Sequence, residues 1–339
     1  MKILITGIHG FVGSNLVNAL KKTHTIYGLD IISPLTEGVL KTFAWDELTD
    51  IPAVDIIIHL AGIAHDTKNQ TNAQKYFDIN TGLTKTIYDR FLASDAKKFI
   101  FFSSVKSAAD RVEGEILTEE VAPHPVGPYG ESKIAAENYI LSRQTVVYSE
   151  QSAESSHQLS GNNTLSTINF QASTDKTTCI LRPCMIHGPG NKGNLNLLYK
   201  FVKKGIPYPL GAFENKRSFT SVDNLCFVIE KLIEKDIASG IYNVGDDETL
   251  STNELIAIMS RILKHPNRTW KLNKSFIQLC ARIGTVLNLP LNTDRLQKLT
   301  ENYIVSNEKL KNALKIQKLP LSAEEGFIKT IESFKNRLE

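Results

Sequence analysis

Tyr129-Gly130-Glu131-Ser132-Lys133 sets a phenol and an ammonium four residues apart, in a segment whose apolar residues recur at helical spacing. Four residues is about one helical turn, so the two side chains project from one face. An ammonium beside a phenol favours the phenolate and draws its pKa down from about 10. Tyr129 is thereby a candidate general acid and base for interconverting an alcohol and a ketone. A Tyr-x-x-x-Lys pair on its own arises by chance in many helices, where it is a surface pair. Upstream, Phe99-Ile100-Phe101-Phe102-Ser103-Ser104 is an apolar run that closes on two hydroxyls. Ser104 is placed to hydrogen-bond a reacting oxygen, whereas Ser103 reads as a strand-end cap.

Gly7-Ile8-His9-Gly10-Phe11-Val12-Gly13 joins the first apolar run to the first helical segment. Glycines at this spacing allow a tight turn, a close backbone approach to a pyrophosphate, and close helix–strand packing. Asp30 closes the second apolar run. A carboxylate there accepts hydrogen bonds from the adenosine ribose and repels a 2′-phosphate. The following Ile31-Ile32-Ser33 brings no Arg to receive such a phosphate. NAD is the expected cofactor, ahead of NADP. The plainer reading of Asp30 is a cap on the turn.

These groups need a frame of strands that end together. The runs 2–6, 25–29, 55–60, 98–103 and 178–181 are short, β-branched and nearly continuous in apolar character. Parallel strands covered on both faces have that composition. Segments 13–22, 80–94 and 129–142 between them space apolar residues by three and four. The alternation predicts an α/β fold, a Rossmann-type doubly wound parallel sheet, over residues 1–182. Residues 145–177, rich in Ser, Asn, Gln and Thr, interrupt it. A βαβ connection needs only a few residues, so this is an insertion: a plain surface loop, or a lid or oligomer contact. From about residue 190 the alternation loosens, with helical segments at 224–235, 252–263 and 323–334. Residues 183–339 are expected to form mostly a smaller C-terminal substrate-binding lobe, some segments returning to the first domain.

The chain has 339 residues, 42% hydrophobic and 22% charged, enough to bury a core without a metal or disulfide staple. With 39 basic and 36 acidic residues the net charge is +3. The sequence shows no basic block, which argues against nucleic acid as a partner. No apolar run nears the roughly 20 residues of a membrane span. Met1 leads into a strand without a signal-peptide pattern. Cys179, Cys184, Cys226 and Cys280 lack metal-ligand spacing and read as buried thiols of a reducing, cytoplasmic setting. No metal site is expected.

The Gly7/Gly10/Gly13 loop, His59-Leu60-Ala61-Gly62, Asn80, Ser104, Tyr129 with Lys133, and Leu181-Arg182-Pro183 together resemble an extended short-chain dehydrogenase/reductase of the NAD-dependent epimerase/dehydratase family. Ile186-His187-Gly188-Pro189-Gly190 and the stretch from Tyr303 to Gly326 carry the likeness almost to the end. It implies Ser104, Tyr129 and Lys133 as catalytic residues. It implies NAD held by Gly7, Gly10, Phe11, Val12, Gly13, Asp30, Ile31, Leu60, Ala61, Gly62, Asn80 and Pro183, with Tyr129 and Lys133. Ser103-Ser104-Val105-Lys106, Gly193-Asn194-Leu195 and the stretch from Gly211 to Phe219 resemble one branch of the family. That branch holds UDP-sugar 4-epimerases and the 4-ketoreductases that make UDP-N-acetylquinovosamine-type sugars for surface polysaccharide.

A UDP-sugar would then meet Ser104, Val105, Tyr129, Asn194, Leu210 and Arg217. The resemblance puts Arg217 and Asn194 on the diphosphate, for which a fixed guanidinium fork is suited, and Leu210 by the uracil. It makes His59 a buried strand-end histidine and Asp223 a carboxylate that orients the loop after Arg217. Two departures bear on the sugar rather than on the hydride chemistry. Ser107-Ala108-Ala109 stands where the family has Val-Tyr-Gly, and His187 where it has Tyr.

The implied reaction passes a hydride between nicotinamide and C4 of a UDP-hexose or UDP-N-acetylhexosamine, in a 4-epimerase or a 4-ketoreductase. A 4,6-dehydratase needs a second acid/base pair, and Val105-Lys106 stands where the family places Asp-Glu. The rival from another class is a non-catalytic NAD-binding regulator on the same fold. Such a protein has no need of Ser104, Tyr129 and Lys133 together. The resemblance also implies a homodimer, packed through segments 80–94 and 129–142, whose apolar residues Ile87, Phe91, Ile134 and Ile140 are divided between the outer faces and the sheet.

Overall fold

Ile3, Leu4 and Ile5 of β1 (Lys2–Thr6) are fully buried, as are Phe99, Ile100 and Phe101 of β5 (Lys98–Phe102). Each such side chain contributes about 1.5–3 kcal/mol by leaving water. These strands join β2 (Thr25–Leu29), β3 (Val39–Phe43), β4 (Ile56–His59), β6 (Thr177–Pro183) and β9 (Gly240–Val244) in a seven-stranded sheet, ordered β3-β2-β1-β4-β5-β6-β9. The pairs β1–β2, β1–β4, β2–β3, β4–β5 and β5–β6 are parallel. The order reverses between β1 and β4, the switch point where open α/β sheets bind ligands. This is the Rossmann-type fold that the alternation predicts. β3 is an added edge strand. Its Leu40 is exposed and only Phe43 is buried, so its sequence lacks the two-faced apolar signature.

This computed structural model describes every residue except 65–71, 156–175, 192, 288, 290 and 339, and not the side chains of 145–155, 194 and 336–338. The chain divides into two units. The first comprises Met1–Asp110, Glu119–Arg182 and Ile229–Tyr242, and the second Arg111–Thr118, Pro183–Val228 and Asn243–Glu339.

In the first unit α1 (Phe11–Leu20) follows β1. Helix α2 (Ala73–Tyr76) runs through a π-helical turn (Phe77–Gly82) into α3 (Leu83–Ala93). The expected helix 80–94 thus begins earlier, at the cap Asn72, whose side chain accepts from Gln74 N. A one-turn helix α4 (Val105–Ala108) follows β5, and α5 spans Gly127–Ser155. The polar insertion therefore opens as a continuation of α5, and the lid or oligomer contact considered for it falls on 156–175, outside the described residues. Leu4, Ile57, Phe99 and Phe101 pack with Ile87, Tyr88 and Phe91 of α3 and Ala136 and Ile140 of α5. Ile87, Phe91 and Ile140 are fully buried and are the ones of the four that face the sheet, whereas Ile134 is half-buried. The three are core because residues spaced by three and four face the sheet.

In the second unit β7 (Met185–His187) pairs in parallel with β8 (Phe219–Ser221). Its helices are α6 (Asn194–Lys203), the start of α7 (Val222–Glu234), α8 (Thr252–Leu263), α9 (Lys274–Val286), α10 (Thr293–Thr300), α11 (Glu308–Leu314) and α12 (Ala323–Leu338). Tyr199, Phe219, Met259, Phe327 and Ile331 centre its core. Among the described residues no helix is long and apolar enough to cross a membrane, and no cluster of His, Cys, Asp or Glu is built to hold a metal.

Candidate active site

β1 delivers the chain to α1 through the glycine loop. Gly7 has φ +68°, and a Cβ there would lie 2.9 Å from Ala61 N. Only glycine adopts that conformation at no steric cost. A Cβ on Gly13 would lie 2.4 Å from Ile8 O and 2.6 Å from Gly7 O, so α1 can start this close to the loop only with glycine. Gly10 caps α1 without a side chain. Phe11 and Val12 fill the first turn, half-buried, where N–H groups and the positive end of the helix favour an anion. Asp30 Oδ2 accepts from His9 N at 2.9 Å, and its Oδ1 accepts from Ile31 N at 2.7 Å. The carboxylate caps the turn and ties the glycine loop to β2. The capping reading of Asp30 thus holds, and each oxygen keeps a lone pair for a further donor. Ile31 beside it is largely exposed.

Ser104 caps α4, its Oγ accepting from Lys106 N at 3.2 Å, and its hydroxyl also reaches the phenol of Tyr129. Tyr129 stands half-buried in the first turn of α5. The ring of Tyr76, which sequence reasoning passed over, meets it edge-on at 6.4 Å. Burial pushes the Tyr129 phenol above its ordinary pKa, the Ser104 hydrogen bond opposes this, and Tyr76 adds to the rise. One turn on, Lys133 is buried and donates from Nζ to Phe102 O at 2.8 Å. Burial draws its pKa down to about 8, against the pull of Glu137. The expected depression of the Tyr129 phenol by Lys133 is therefore absent. The ammonium is turned to the Phe102 carbonyl, and desolvation of the phenol dominates.

A Cβ on Gly62 would sit 2.8 Å from Asn80 Oδ1 and 3.2 Å from Lys133 Nζ. Asn80, in the π-helical turn, is fully buried. It accepts from Ile63 N at 2.8 Å and donates to Ile63 O at 3.1 Å and Ser132 Oγ at 2.9 Å. Its amide thus fastens the loop after β4 to α5. Leu60 and Ala61 begin that loop half-buried, with Ala61 N donating to Thr6 Oγ1 at 3.0 Å. His59 lies between Thr6 Oγ1 at 2.7 Å and Thr84 Oγ1 at 2.9 Å. Burial, aided by Lys133, draws its pKa down to about 3, so the ring is neutral and structural.

Glu137 is the residue the sequence reading missed. It is fully buried one turn beyond Lys133. Its carboxylate accepts from the Ser103 and Ser107 hydroxyls, from Arg182 Nε at 3.1 Å and from Arg182 Nη2 at 2.6 Å. Ser103 is therefore not a strand-end cap. Ser107 Oγ also lies 2.7 Å from Ser104 O, sharing its proton between two acceptors. One carboxylate so joins the Ser104 turn, the end of β6 and α5. The available signal was the series 129, 133, 137 on one helical face, with a lone Arg182 at the end of a buried strand.

Val105 and Pro183 are both buried. In the second unit, Leu210 is buried and bridges to Lys271. Arg217 is half-buried, its backbone paired with Leu250 and its Nη1 donating to Lys298 O at 3.1 Å. The side chain of Asn194 lies outside the described residues. Asp223 does not orient the loop after Arg217: it is exposed and pairs with Lys329 at 3.2 Å. The buried carboxylate is Asp246, which accepts from Ser221 N at 3.0 Å and Asn224 Nδ2 at 2.8 Å. His187 stacks on Phe327 at 3.8 Å and meets Thr330 Oγ1 at 2.9 Å, so it is core. The first unit thus gathers Ser104, Tyr129, Lys133 and Gly62, while Leu210 and Arg217 belong to the second.

Residues 3–146 match the NAD dependent epimerase/dehydratase family, and residues 144–273 match the 3-beta hydroxysteroid dehydrogenase/isomerase family. The chain is 29% identical to a UDP-glucose 4-epimerase of Vibrio cholerae, over 98% of this chain and 95% of that one. It is 26% identical to the N-acetyl-alpha-D-glucosaminyl-diphospho-ditrans,octacis-undecaprenol 4-epimerase of Escherichia coli O157:H7, over 77% of this chain and 72% of that one. The crystal structure of UDP-glucuronic acid 4-epimerase from Bacillus cereus in complex with NAD matches with a TM-score of 0.70 at 20% identity, covering 100% of both chains. That likeness shows the shared fold. The match to the NAD dependent epimerase/dehydratase family spans the glycine loop, Ser104, Tyr129 and Lys133, and the Vibrio cholerae relative carries the likeness over nearly the whole chain.

Proposed function

We propose that this protein is an NAD-dependent enzyme acting at C4 of a UDP-hexose or UDP-N-acetylhexosamine, as a 4-epimerase or 4-ketoreductase of nucleotide-sugar or surface-polysaccharide metabolism. The observation that carries this reading is the meeting of Ser104 with Tyr129, one helical turn from buried Lys133. The residues suit the cofactor. The loop has no room for a Cβ at Gly7 or Gly13, the first turn of α1 offers N–H groups, and Asp30 keeps acceptors for ribose hydroxyls while repelling a 2′-phosphate. NAD is accordingly preferred to NADP.

Bound nicotinamide supplies the acceptor and donor for the C4 hydride. The chain handles the proton. Tyr129 exchanges it with the 4-oxygen, and Ser104 hydrogen-bonds that oxygen. Lys133, on leaving the Phe102 carbonyl for the nicotinamide ribose, brings its charge toward the phenol and favours the phenolate. Residues 1–182 serve the cofactor, and 183–339 mostly serve the substrate. Arg217 and Asn194 hold the diphosphate, Leu210 meets the uracil and Val105 the sugar, on the strength of the family resemblance. The activities named for the relatives support the sugar-nucleotide class. A cytoplasmic homodimer rests on the resemblance alone.

The test is to denature purified protein and identify the nucleotide released. NAD near one per chain, with turnover of UDP-glucose, UDP-galactose or their N-acetyl forms without added cofactor, is the 4-epimerase result. Empty protein that reduces a 4-keto sugar nucleotide with NADH is the 4-ketoreductase result. Protein that binds neither NAD nor NADH overturns the reading.

A further inference from the structure

Positive charge is concentrated in one stretch that a whole-chain count conceals. Residues 255–293 contain no Asp or Glu but hold Arg261, Lys264, Arg268, Lys271, Lys274 and Arg282, all exposed; Arg261 pairs with Glu324 at 2.5 Å, which leaves five cations to set the charge of the stretch. They are too widely spaced to form a basic block in the sequence. At the centre of this stretch lies α9. It buries Ile277, Ala281 and Gly284, and it exposes Phe276 at 57%, Leu279 at 54%, Ile283 at 48% and Val286 at 83%. Separations of three, four and three make these a single stripe along the helix. Leu287 continues it past the helix end, and Trp270 is also exposed just before α9. Isolated apolar side chains on a surface need no explanation, but a continuous row does.

We propose that this face of α9 docks on an anionic lipid bilayer, the helix lying in the headgroup plane. An apolar Phe/Leu/Ile/Val stripe on a helix set among Lys and Arg is the composition of an interfacial helix. Its 13 residues extend about 20 Å, so the helix lies along the membrane rather than across it. A second copy is the poorer occupant, because a two-fold interface would set these cations against their own copies. A nucleic acid would match the charge and leave the aliphatic stripe unused. An anionic bilayer satisfies both. The inference rests on the surface alone and does not require the proposed activity.

The full chain is sedimented with phosphatidylglycerol/phosphatidylcholine vesicles and with phosphatidylcholine vesicles. At least about tenfold more protein is expected on the anionic vesicles, weakening as salt is raised to about 0.5 M. Leu279→Glu/Ile283→Glu should abolish this binding, and Lys271→Glu/Lys274→Glu should cut it by more than about tenfold. Both variants should keep the wild-type Tm, since the four side chains are exposed. Three results would overturn the proposal. They are no binding to anionic vesicles, undiminished binding by folded Leu279→Glu/Ile283→Glu, and a wild-type oligomer that this variant converts to monomer.

Discussion

Glu137→Gln keeps the shape of a fully buried side chain and removes its charge. Arg182, 1% exposed, would then keep its guanidinium in the interior without a counter-charge. Removing one partner of a buried ion pair costs about 3–5 kcal/mol. Gln also presents an N–H₂ where a carboxylate oxygen now accepts, and Arg182 offers only donors. For a unit of this size about 2–4 °C of Tm goes with each kcal/mol, so Tm should fall by roughly 6–20 °C in calorimetry near pH 7. Replacing both partners, Glu137→Leu with Arg182→Met, leaves no charge behind and should restore at least half the loss. Ser107 then keeps the Ser104 carbonyl as its acceptor. The same carboxylate anchors the Ser104 turn, so turnover should fall as well. In a double-mutant cycle, Glu137→Gln should cost less activity once Ser104 is Ala. A Glu137→Gln Tm within about 2 °C of wild type, or a double variant less stable than the single, refutes the reasoning.

Other consequences follow from the same geometry. His59 has a folded pKa near 3, whereas an unfolded His binds a proton near 6.5. Stability should therefore be lost as pH falls below about 6.5, by about 2 kcal/mol at pH 5. Denaturant unfolding of His59→Gln should lack this increment, and identical pH slopes would contradict it. Lys133, near 8 in the free protein, should place an alkaline limb near pH 8 in kcat/KM, which reports free-enzyme groups. Glu137→Gln should move that limb to lower pH, and a profile flat through pH 9 would count against the assignment. In the glycine loop, Gly13→Ala forces a Cβ onto two backbone carbonyls and should lower Tm. At Gly10 the one neighbour within 4 Å of a Cβ is Gly7 O at 3.1 Å. Gly10→Ala should thus leave Tm nearly intact while weakening NAD binding at least about tenfold, by analogy with other close pyrophosphate approaches. Equal effects of the two substitutions would contradict this division.

The parts of the molecule legible in the sequence are those where one local rule acts. β1, β4 and β5 are buried on both faces and read as unbroken apolar runs. The glycine loop reads from its spacing because backbone, not side chains, fills the space. β3 escapes because an edge strand needs only Phe43 inside. Glu137 escapes because its partners come from two segments distant in sequence, the Ser104 turn and the end of β6, and a buried ion pair has no periodicity. Asp246 escapes for a similar reason: the sequence offers Asp223 as the carboxylate near Arg217, whereas the backbone of β8 turns the Ser221 N–H toward Asp246. The π-helical turn carries Asn80, whose amide reaches Ile63 and Ser132, and no propensity signals it. Ile87, Phe91 and Ile140 show the converse: apolar residues at helical spacing reveal that a face is buried but not against what.

The central claim is tested most directly by Tyr129→Phe, which removes one oxygen atom from a site held together by other groups. Bound NAD and turnover of the UDP-sugar substrate are measured in parallel with wild type. The account predicts NAD retained at the wild-type level, Tm unchanged, and kcat reduced at least about a hundredfold. A variant that turns over within about tenfold of wild type would contradict it, because the proton at the sugar 4-oxygen would then be moving through some other group.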